Sequence, residues 1–76
     1  MNINRGDIVY YARIMPTVET YDLLELRIRT VEEDWFVGTE NHTQHAFMFN
    51  INDLGVKVFK NRNEALEIVK EAESKK

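Results

Sequence analysis

The residues of this chain best suited to binding a metal ion are Glu40, His42 and His45, which lie close together in the sequence. A protein metal site needs three or four converging ligands, oriented by further hydrogen bonds. The sequence offers two imidazoles and one carboxylate around a predicted turn, and it contains no cysteine. We therefore interpret both histidines as turn residues and predict no bound metal and no cofactor.

Groups for covalent or acid–base catalysis are scarce. Ser74 is the only serine, so neither a Ser–His–acid nor a Cys–His arrangement has a suitable nucleophile. The three glycines lie far apart, so no phosphate-binding glycine loop is present. The consecutive acids Glu32, Glu33 and Asp34 are predicted to point apart into solvent, which does not suit a general acid at neutral pH. The sequence therefore predicts a protein that is not an enzyme.

Charge is unevenly distributed along the chain. The net charge is −3, and residues 1–40 carry four arginines against eight acids, whereas all five lysines follow residue 50. An acidic surface repels duplex nucleic acid unless a local basic patch overrides it. The acids predicted to form a surface for a protein partner are Glu19, Asp22, Glu32, Glu33 and Asp34.

Aromatic side chains form the second set of binding candidates. Tyrosine and tryptophan are frequent anchors of protein interfaces, and they also stack on single-stranded bases beside a basic groove. Because at most one face of each strand is expected to be buried, some aromatics should be exposed, and the candidates are Tyr11, Tyr21 and Trp35. The candidates for a nucleic-acid surface are Arg27, Arg29, Lys57 and Lys60, although Glu25 shares a strand face with the two arginines.

The spacing of apolar residues predicts an antiparallel sheet. Residues 8–14 alternate between two faces, and residues 24–29 alternate apolar with charged side chains, as in a half-buried strand. Residues 15–22, which contain the only proline, are predicted to form a polar loop. The acids 32–34 are predicted at a hairpin tip before a strand that begins at Trp35, and Gly38 indicates a bulge there. Residues 41–44 are the next predicted turn.

The stretch from Phe47 to Val69 predicts a strand, a tight turn at 52–55, a second strand from Val56 and a helix capped by Asn61. The helix is expected at about 62–73, with a stripe of four apolar residues: Ala65, Leu66, Val69 and Ala72. We therefore predict a single domain over residues 1–76. It is mainly β with one C-terminal α-helix, a small bent antiparallel sheet or SH3-like barrel of about five strands within residues 7–60.

The segment Gly55–Leu66 resembles the C-terminal end of many short proteins of Gram-positive bacteria and their phages. Those proteins read Gly-Lys-x-Val-Phe-Leu-Thr-Arg-Glu-Glu-Ala, and the opening Gly6-Asp7-Ile8-Val9-Tyr10 is also similar to theirs. Lys60-Asn61 stands where Leu-Thr is usual, which keeps a helix cap but removes an apolar contact. The resemblance implies a fold and a phage or prophage origin, and it names no binding residue.

These patterns favour a non-catalytic protein-binding module, whose partner is a host or phage protein. A sharper version is an inhibitor of a host or defence protein, such as an anti-CRISPR protein, that occupies a nucleic-acid channel by its acidic surface. The alternative is a nucleic-acid-binding SH3-like domain. We expect it in the cytoplasm of a bacterial host cell, because the sequence has no cysteine, no secretory signal and no apolar run that spans a membrane. Homo-oligomers through an exposed strand edge remain an open alternative.

Overall fold

The structure is a computed structural model that describes residues 3–75. Its five strands are β1 (Ile8–Met15), β2 (Thr20–Val31), β3 (Trp35–Glu40), β4 (Ala46–Asn50) and β5 (Val58–Phe59), and one α-helix, α1 (Arg62–Ser74), follows them. All strand pairs are antiparallel, in the order β4-β3-β2-β1-β5, and the sheet curls into a half-barrel. The predicted fold class, a bent sheet of about five strands with one C-terminal helix, is confirmed.

The concave side of the sheet holds the larger of two apolar cores. Directly opposed residues of neighbouring strands share a face, and the registers place the same side of all five strands together. Its buried members are Ile3, Val9, Leu26, Ile28, Phe36, Phe49 and Val58. Phe36 and Leu26 are fully excluded from solvent, so this core accounts for most of the buried large side chains.

The second core lies on the outer side of β1, where α1 packs across the sheet. Ala12, Phe59, Ala65 and Val69 are buried there, and Tyr10, Ile14, Tyr21 and Leu23 pack against them. Strand β1 is therefore buried on both faces, because its even-numbered residues face the helix and Val9 and Tyr11 face the concave core. The expectation that each strand buries at most one face is wrong for β1.

The start of α1 follows the predicted cap. The side chain of Asn61 accepts a hydrogen bond from the backbone N–H of Asn63 at 2.8 Å, which satisfies one of the free N–H groups of the first turn. The helix ends at Ser74, one residue beyond the predicted boundary. A reciprocal capping box forms elsewhere, between Asn50 and Asp53, where it closes the short 3-10 turn after β4.

Two connections differ from the prediction. The polar loop predicted at 15–22 is wrong, since β1 continues to Met15 and β2 begins at Thr20, with Met15 paired directly to Thr20. Residues 16–19 make the reversal, and Glu19 closes it with a left-handed backbone at φ 51°. The strand predicted from Val56 has only two residues, Val58–Phe59, and it pairs with β1.

Gly38 lies beside a bulge, as predicted, but the extra residue belongs to β2. Ile28 pairs with Gly38 and Thr30 pairs with Val37, so Arg29 has no direct partner on β3. Gly38 itself is buried, and a Cβ on it would meet the Cβ of Leu26 at 3.1 Å. The glycine therefore allows β3 to approach the Leu26 side chain of β2 closely.

Candidate functional site

The outer side of β2, β3 and β4 forms a surface that α1 leaves uncovered, because the helix packs on β1, the first part of β2 and β5. Two rows of directly opposed residues run across this side. One row is Thr30, Val37 and Met48, and the other is Arg27, Thr39 and Ala46; Trp35 lies opposite Asn50 at one end of the surface. We call this surface the outer face. Its members are Arg27, Arg29, Thr30, Trp35, Val37, Thr39, Ala46, Met48 and Asn50.

We call Trp35, Val37 and Met48 the apolar centre of the outer face; this group lies on β3 and on the edge strand β4. Met48 is 70% exposed, which is the largest exposure among the large hydrophobic residues of the described chain. Trp35 and Val37 are half-buried beside it. An apolar centre that includes tryptophan and methionine is typical of protein interfaces.

One side of the outer face is basic and the other is acidic. Arg27 and Arg29 are exposed along β2, and the Nε of Arg29 donates to the hydroxyl of Thr39 at 2.9 Å. At the opposite end, Glu32 lies across from Trp35, to whose carbonyl its N–H donates at 2.8 Å. The surface therefore combines an apolar centre with charges of both signs at its rim.

Sequence reasoning missed the central part of this face. Met48, Val37 and Ala46 were not among the predicted binding residues. The available signal was the outward side of β4, where Ala46, Met48 and Asn50 alternate with the two core phenylalanines and carry no charge. An outward strand face in solvent usually carries charged or polar side chains.

The predicted acidic surface is divided by the fold. Glu19 precedes β2 and the acids Glu32, Glu33 and Asp34 follow it, so the 12 residues of this strand separate them, in a molecule whose longest dimension is 35 Å. Asp22 lies near the start of β2 and binds Arg13, with Nη2 to Oδ2 at 2.6 Å. The structure therefore brings three of the five acids together, at the tip of the β2–β3 hairpin, where all three are exposed.

The predicted aromatic residues occupy three different places. Trp35 lies on the outer face next to the acidic tip. Tyr11 lies on the concave side, where its ring centroid is 4.8 Å from that of Phe49 and 5.6 Å from that of Phe47. Tyr21 packs against the second core under α1. Only Trp35 is therefore placed on a surface with other candidate binding groups.

The four predicted nucleic-acid-binding residues do not form one patch. Arg27 and Arg29 lie on the outer face of β2, whereas Lys57 and Lys60 flank β5, on the far side of β1. The exposed Glu25 lies two residues before Arg27 on the same strand face, and it accepts a hydrogen bond from Asn41 at 3.0 Å. A groove that follows a phosphate backbone needs a continuous row of cations, and these positions are interrupted.

Glu40 organises the turn that contains both histidines. Its carboxylate accepts the hydroxyl of Thr43 at 2.8 Å, the N–H of Thr43 at 2.8 Å and the N–H of His42 at 3.1 Å. These bonds, led by the Thr43 hydroxyl, hold the pKa of Glu40 below its ordinary value, against a smaller opposing effect of burial. The carboxylate is therefore engaged by the turn, which explains an acid at a position whose side chain faces the core.

A shallow cleft opens at this end of the concave side. It has a volume of about 250 Å³ and is lined by Arg13, Leu24, Glu40, Thr43, His45 and Phe47. The Nε of Arg13 is buried there without a hydrogen-bond partner in the part of the chain that is described. The rest of the Arg13 guanidinium binds Asp22, and Glu40 is occupied by the turn, so the cleft offers few free polar groups.

Within residues 3–75, no three histidine, aspartate or glutamate side chains lie close enough to hold a metal ion. No helix in the same range is long and apolar enough to cross a membrane.

Comparison of the chain with protein-family models, with curated proteins and with solved structures finds no match in any of the three.

Proposed function

We propose that this chain is a non-catalytic protein-binding module that binds its partner through the outer face. The observation that carries the proposal is Met48, which is 70% exposed on the edge strand β4 of a sheet face that the helix leaves uncovered. A monomeric protein of this size gains nothing from leaving a methionine beside a tryptophan and a valine in water. A protein partner that covers them gains the burial of all three.

The charges around the apolar centre define the chemistry of that partner. Arg27 and Arg29 are exposed on the β2 side of the outer face, so they favour acidic residues at the matching rim of the partner. Arginine is also well suited to such contacts because its planar guanidinium binds carboxylates with two hydrogen bonds. We therefore propose a protein surface with an apolar centre and an acidic border as the partner.

The acidic inhibitor, including an anti-CRISPR protein from a phage or prophage, is a narrower form of the same proposal. It depends on Glu32, Glu33 and Asp34 alone, because Glu19 lies at the other end of β2 and Asp22 is paired with Arg13. Three exposed carboxylates are a small charge for occupying a nucleic-acid channel. The outer face supports the broader proposal, a protein-binding module, more directly than this form.

The test is capture from a bacterial lysate, with and without nuclease treatment, by the wild type and by two variants of the outer face. Met48→Asp places a charge at the apolar centre, and Trp35→Thr removes the aromatic anchor but keeps a β-forming residue. The matched control is Val18→Asp, because Val18 is a similarly exposed apolar residue, 64% exposed, in the turn between β1 and β2. Bound proteins are identified by mass spectrometry.

A partner captured by the wild type and by Val18→Asp, but lost by both outer-face variants, is the expected result. Equal capture by all four proteins contradicts the proposed surface. If lysine substitutions of residues 32–34 abolish capture and Met48→Asp leaves capture intact, the acidic tip is favoured as the binding surface instead. If the captured proteins are lost on nuclease treatment, binding to nucleic acid is favoured. The affinity of the chain for nucleic acid should then fall steeply as the salt concentration rises.

A further inference from the structure

The free edge of β4 presents unpaired backbone groups. The N–H of Glu40 donates to the carbonyl of His45 at 2.9 Å, and the N–H of Ile51 donates to the carbonyl of Asp34 at 2.8 Å. Because bonded and non-bonded pairs alternate along an antiparallel ladder, residues 47 and 49 also bond to β3. The N–H and C=O groups of Ala46 and Met48 and the C=O of Asn50 therefore point away from the sheet.

The side chain of Asp53 caps only the last N–H of the β4 edge, that of Asn50, at 3.1 Å; residues 46–49 have no comparable protection. The sequence of β4 is Ala-Phe-Met-Phe-Asn, without charge, proline or bulge. Natural sheets prevent edge-to-edge pairing with lysines, prolines, bulges or a covering segment. The opposite edge of this sheet is different, because β5 has only two residues and the carbonyl of Val58 is bound by the N–H of Gly55 at 2.8 Å.

We propose that two copies of this chain associate through antiparallel pairing of their β4 strands, with a two-fold axis at Met48. The N–H and C=O of Met48 point outward and form two hydrogen bonds with the C=O and N–H of Met48 in the second copy. The N–H of Ala46 then donates to the carbonyl of Asn50 of the second copy. The N–H of Asn50 is already bound to Asp53 at 3.1 Å and keeps that partner.

The side chains of β4 are compatible with this register. Phe47 comes opposite Phe49 of the second copy on the concave side, which extends the ring cluster that Tyr11, Phe47 and Phe49 already form. Phe47 is half-buried in the single chain, so the second copy covers the remainder of its ring. On the outer face the two Met48 side chains lie next to each other, and the contact removes apolar surface from water.

The distribution of charge favours the antiparallel arrangement. Each copy has its acidic tip, Glu32–Asp34, at the Asn50 end of β4, since Asp34 pairs with Ile51. Antiparallel pairing places the two tips at opposite ends of the interface, where each meets the 41–45 turn of the other copy. Two acids lie beside that turn. The carboxylate of Glu40 is occupied by Thr43 and His42, and that of Glu25 accepts a hydrogen bond from Asn41 at 3.0 Å. Both carboxylates therefore already have hydrogen-bond donors within their own chain, and the two acidic tips are kept away from each other.

The first test is the concentration dependence of the molar mass of the purified chain, measured by sedimentation equilibrium up to millimolar concentration. The interface is small, so we expect a reversible dimer that dissociates on dilution. Met48→Pro removes the central N–H and is compatible with the fold, because that N–H faces away from β3. Met48→Val keeps the N–H and changes only the side chain. We expect Met48→Pro to be monomeric and Met48→Val to dimerise.

A second measurement tests the register without relying on proline. The chain has no cysteine, so a single introduced cysteine can only form a disulfide with a second copy. Cα atoms of a hydrogen-bonded antiparallel pair are about 5.5 Å apart, within the range that a disulfide spans. Met48→Cys should therefore cross-link on mild oxidation. Ala46→Cys should not, because the two Ala46 residues lie about 13 Å apart along the paired strands.

Circular dichroism of each variant establishes that it is folded. A wild-type chain that stays monomeric at millimolar concentration overturns the proposal. A dimer that persists in folded Met48→Pro, or equal cross-linking of Met48→Cys and Ala46→Cys, assigns the contact to another surface and also overturns it. These measurements use the purified chain alone, so they are independent of any partner captured through the outer face.

Discussion

Gly38 lies in the middle of β3 against the side chain of Leu26 of β2, and alanine at this position tests how tightly the two strands pack. An ideal Cβ on residue 38 would lie 3.1 Å from the Cβ of Leu26 and 3.3 Å from its Cδ1. Carbon atoms are in optimal contact at about 3.5–4.0 Å. The Cβ of Leu26 cannot rotate away, so β2 and β3 must separate by a few tenths of an ångström.

The expected cost is the balance of two effects. An additional carbon in a well-packed core costs about 1–3 kcal/mol, whereas replacing glycine by alanine restricts the unfolded chain and stabilises the fold by about 0.4–1 kcal/mol. We expect Gly38→Ala to lower the free energy of unfolding by about 1 kcal/mol. For a domain of this size, such a loss lowers the melting temperature by about 4–8 °C.

Urea unfolding measures this effect through the fluorescence of Trp35, the only tryptophan. Leu26→Ala alone should cost about 2–5 kcal/mol. In the Gly38→Ala background it also removes the contact with Cδ1, so its cost should be lower there by about 0.5 kcal/mol or more. If Gly38→Ala is as stable as the wild type, the close approach of Gly38 to Leu26 does not limit the packing. Strict additivity of the two substitutions contradicts the contribution of the Cδ1 contact, since Leu26→Ala retains the Cβ.

Two further predictions concern single side chains. Asn61→Ala removes the acceptor of the Asn63 N–H and should lower the free energy of unfolding by about 1 kcal/mol in thermal melts; Lys60→Ala, at an exposed neighbour, is the control, and equal stability of the two variants contradicts a role for the cap. The pKa of Glu40 lies below its ordinary value of 4.5 in the folded chain, so its carboxylate stabilises the fold above the unfolded-state pKa, and this contribution is lost as the pH falls through the folded-state pKa. Glu40→Gln should therefore be less stable than the wild type in urea at neutral pH, with a difference that shrinks in acid; a difference that is independent of pH contradicts the assignment.

The local pattern of the sequence predicts the elements well because each has a local cause. The alternation of residues 24–29 matches β2, in which Leu26 and Ile28 are buried and Arg27 is exposed. The cap residue Asn61 places the start of α1 correctly. The 32–34 acids lie at a hairpin tip, as predicted, because solvated residues between two alternating strands favour a turn.

Tertiary arrangement explains what the sequence does not predict. The alternation in β1 is the same whether one face or both are covered, so only the position of α1 shows that Tyr10 and Tyr11 lie in different cores. The chain crosses the half-barrel after β4, so that β5 pairs with β1. No local pattern in the sequence indicates this pairing. The separation of Glu19 from Glu32 follows from the length of β2, since residues close in sequence within one long strand are far apart in space.

The outer face and the β4 edge share Met48 but use different groups of it, so the two proposals can be separated. Binding of a partner through the outer face depends on side chains, whereas pairing of β4 depends on the backbone N–H and C=O. Trp35 lies on β3, away from the edge, so Trp35→Thr should abolish partner capture and leave the dimer intact. Met48→Pro should remove the dimer. Met48→Val also lacks the methionine side chain but keeps the N–H, so it is the control for capture. If Met48→Pro weakens capture more than Met48→Val does, the partner binds the combined surface of two copies, and the added affinity reflects two linked contacts rather than one stronger contact.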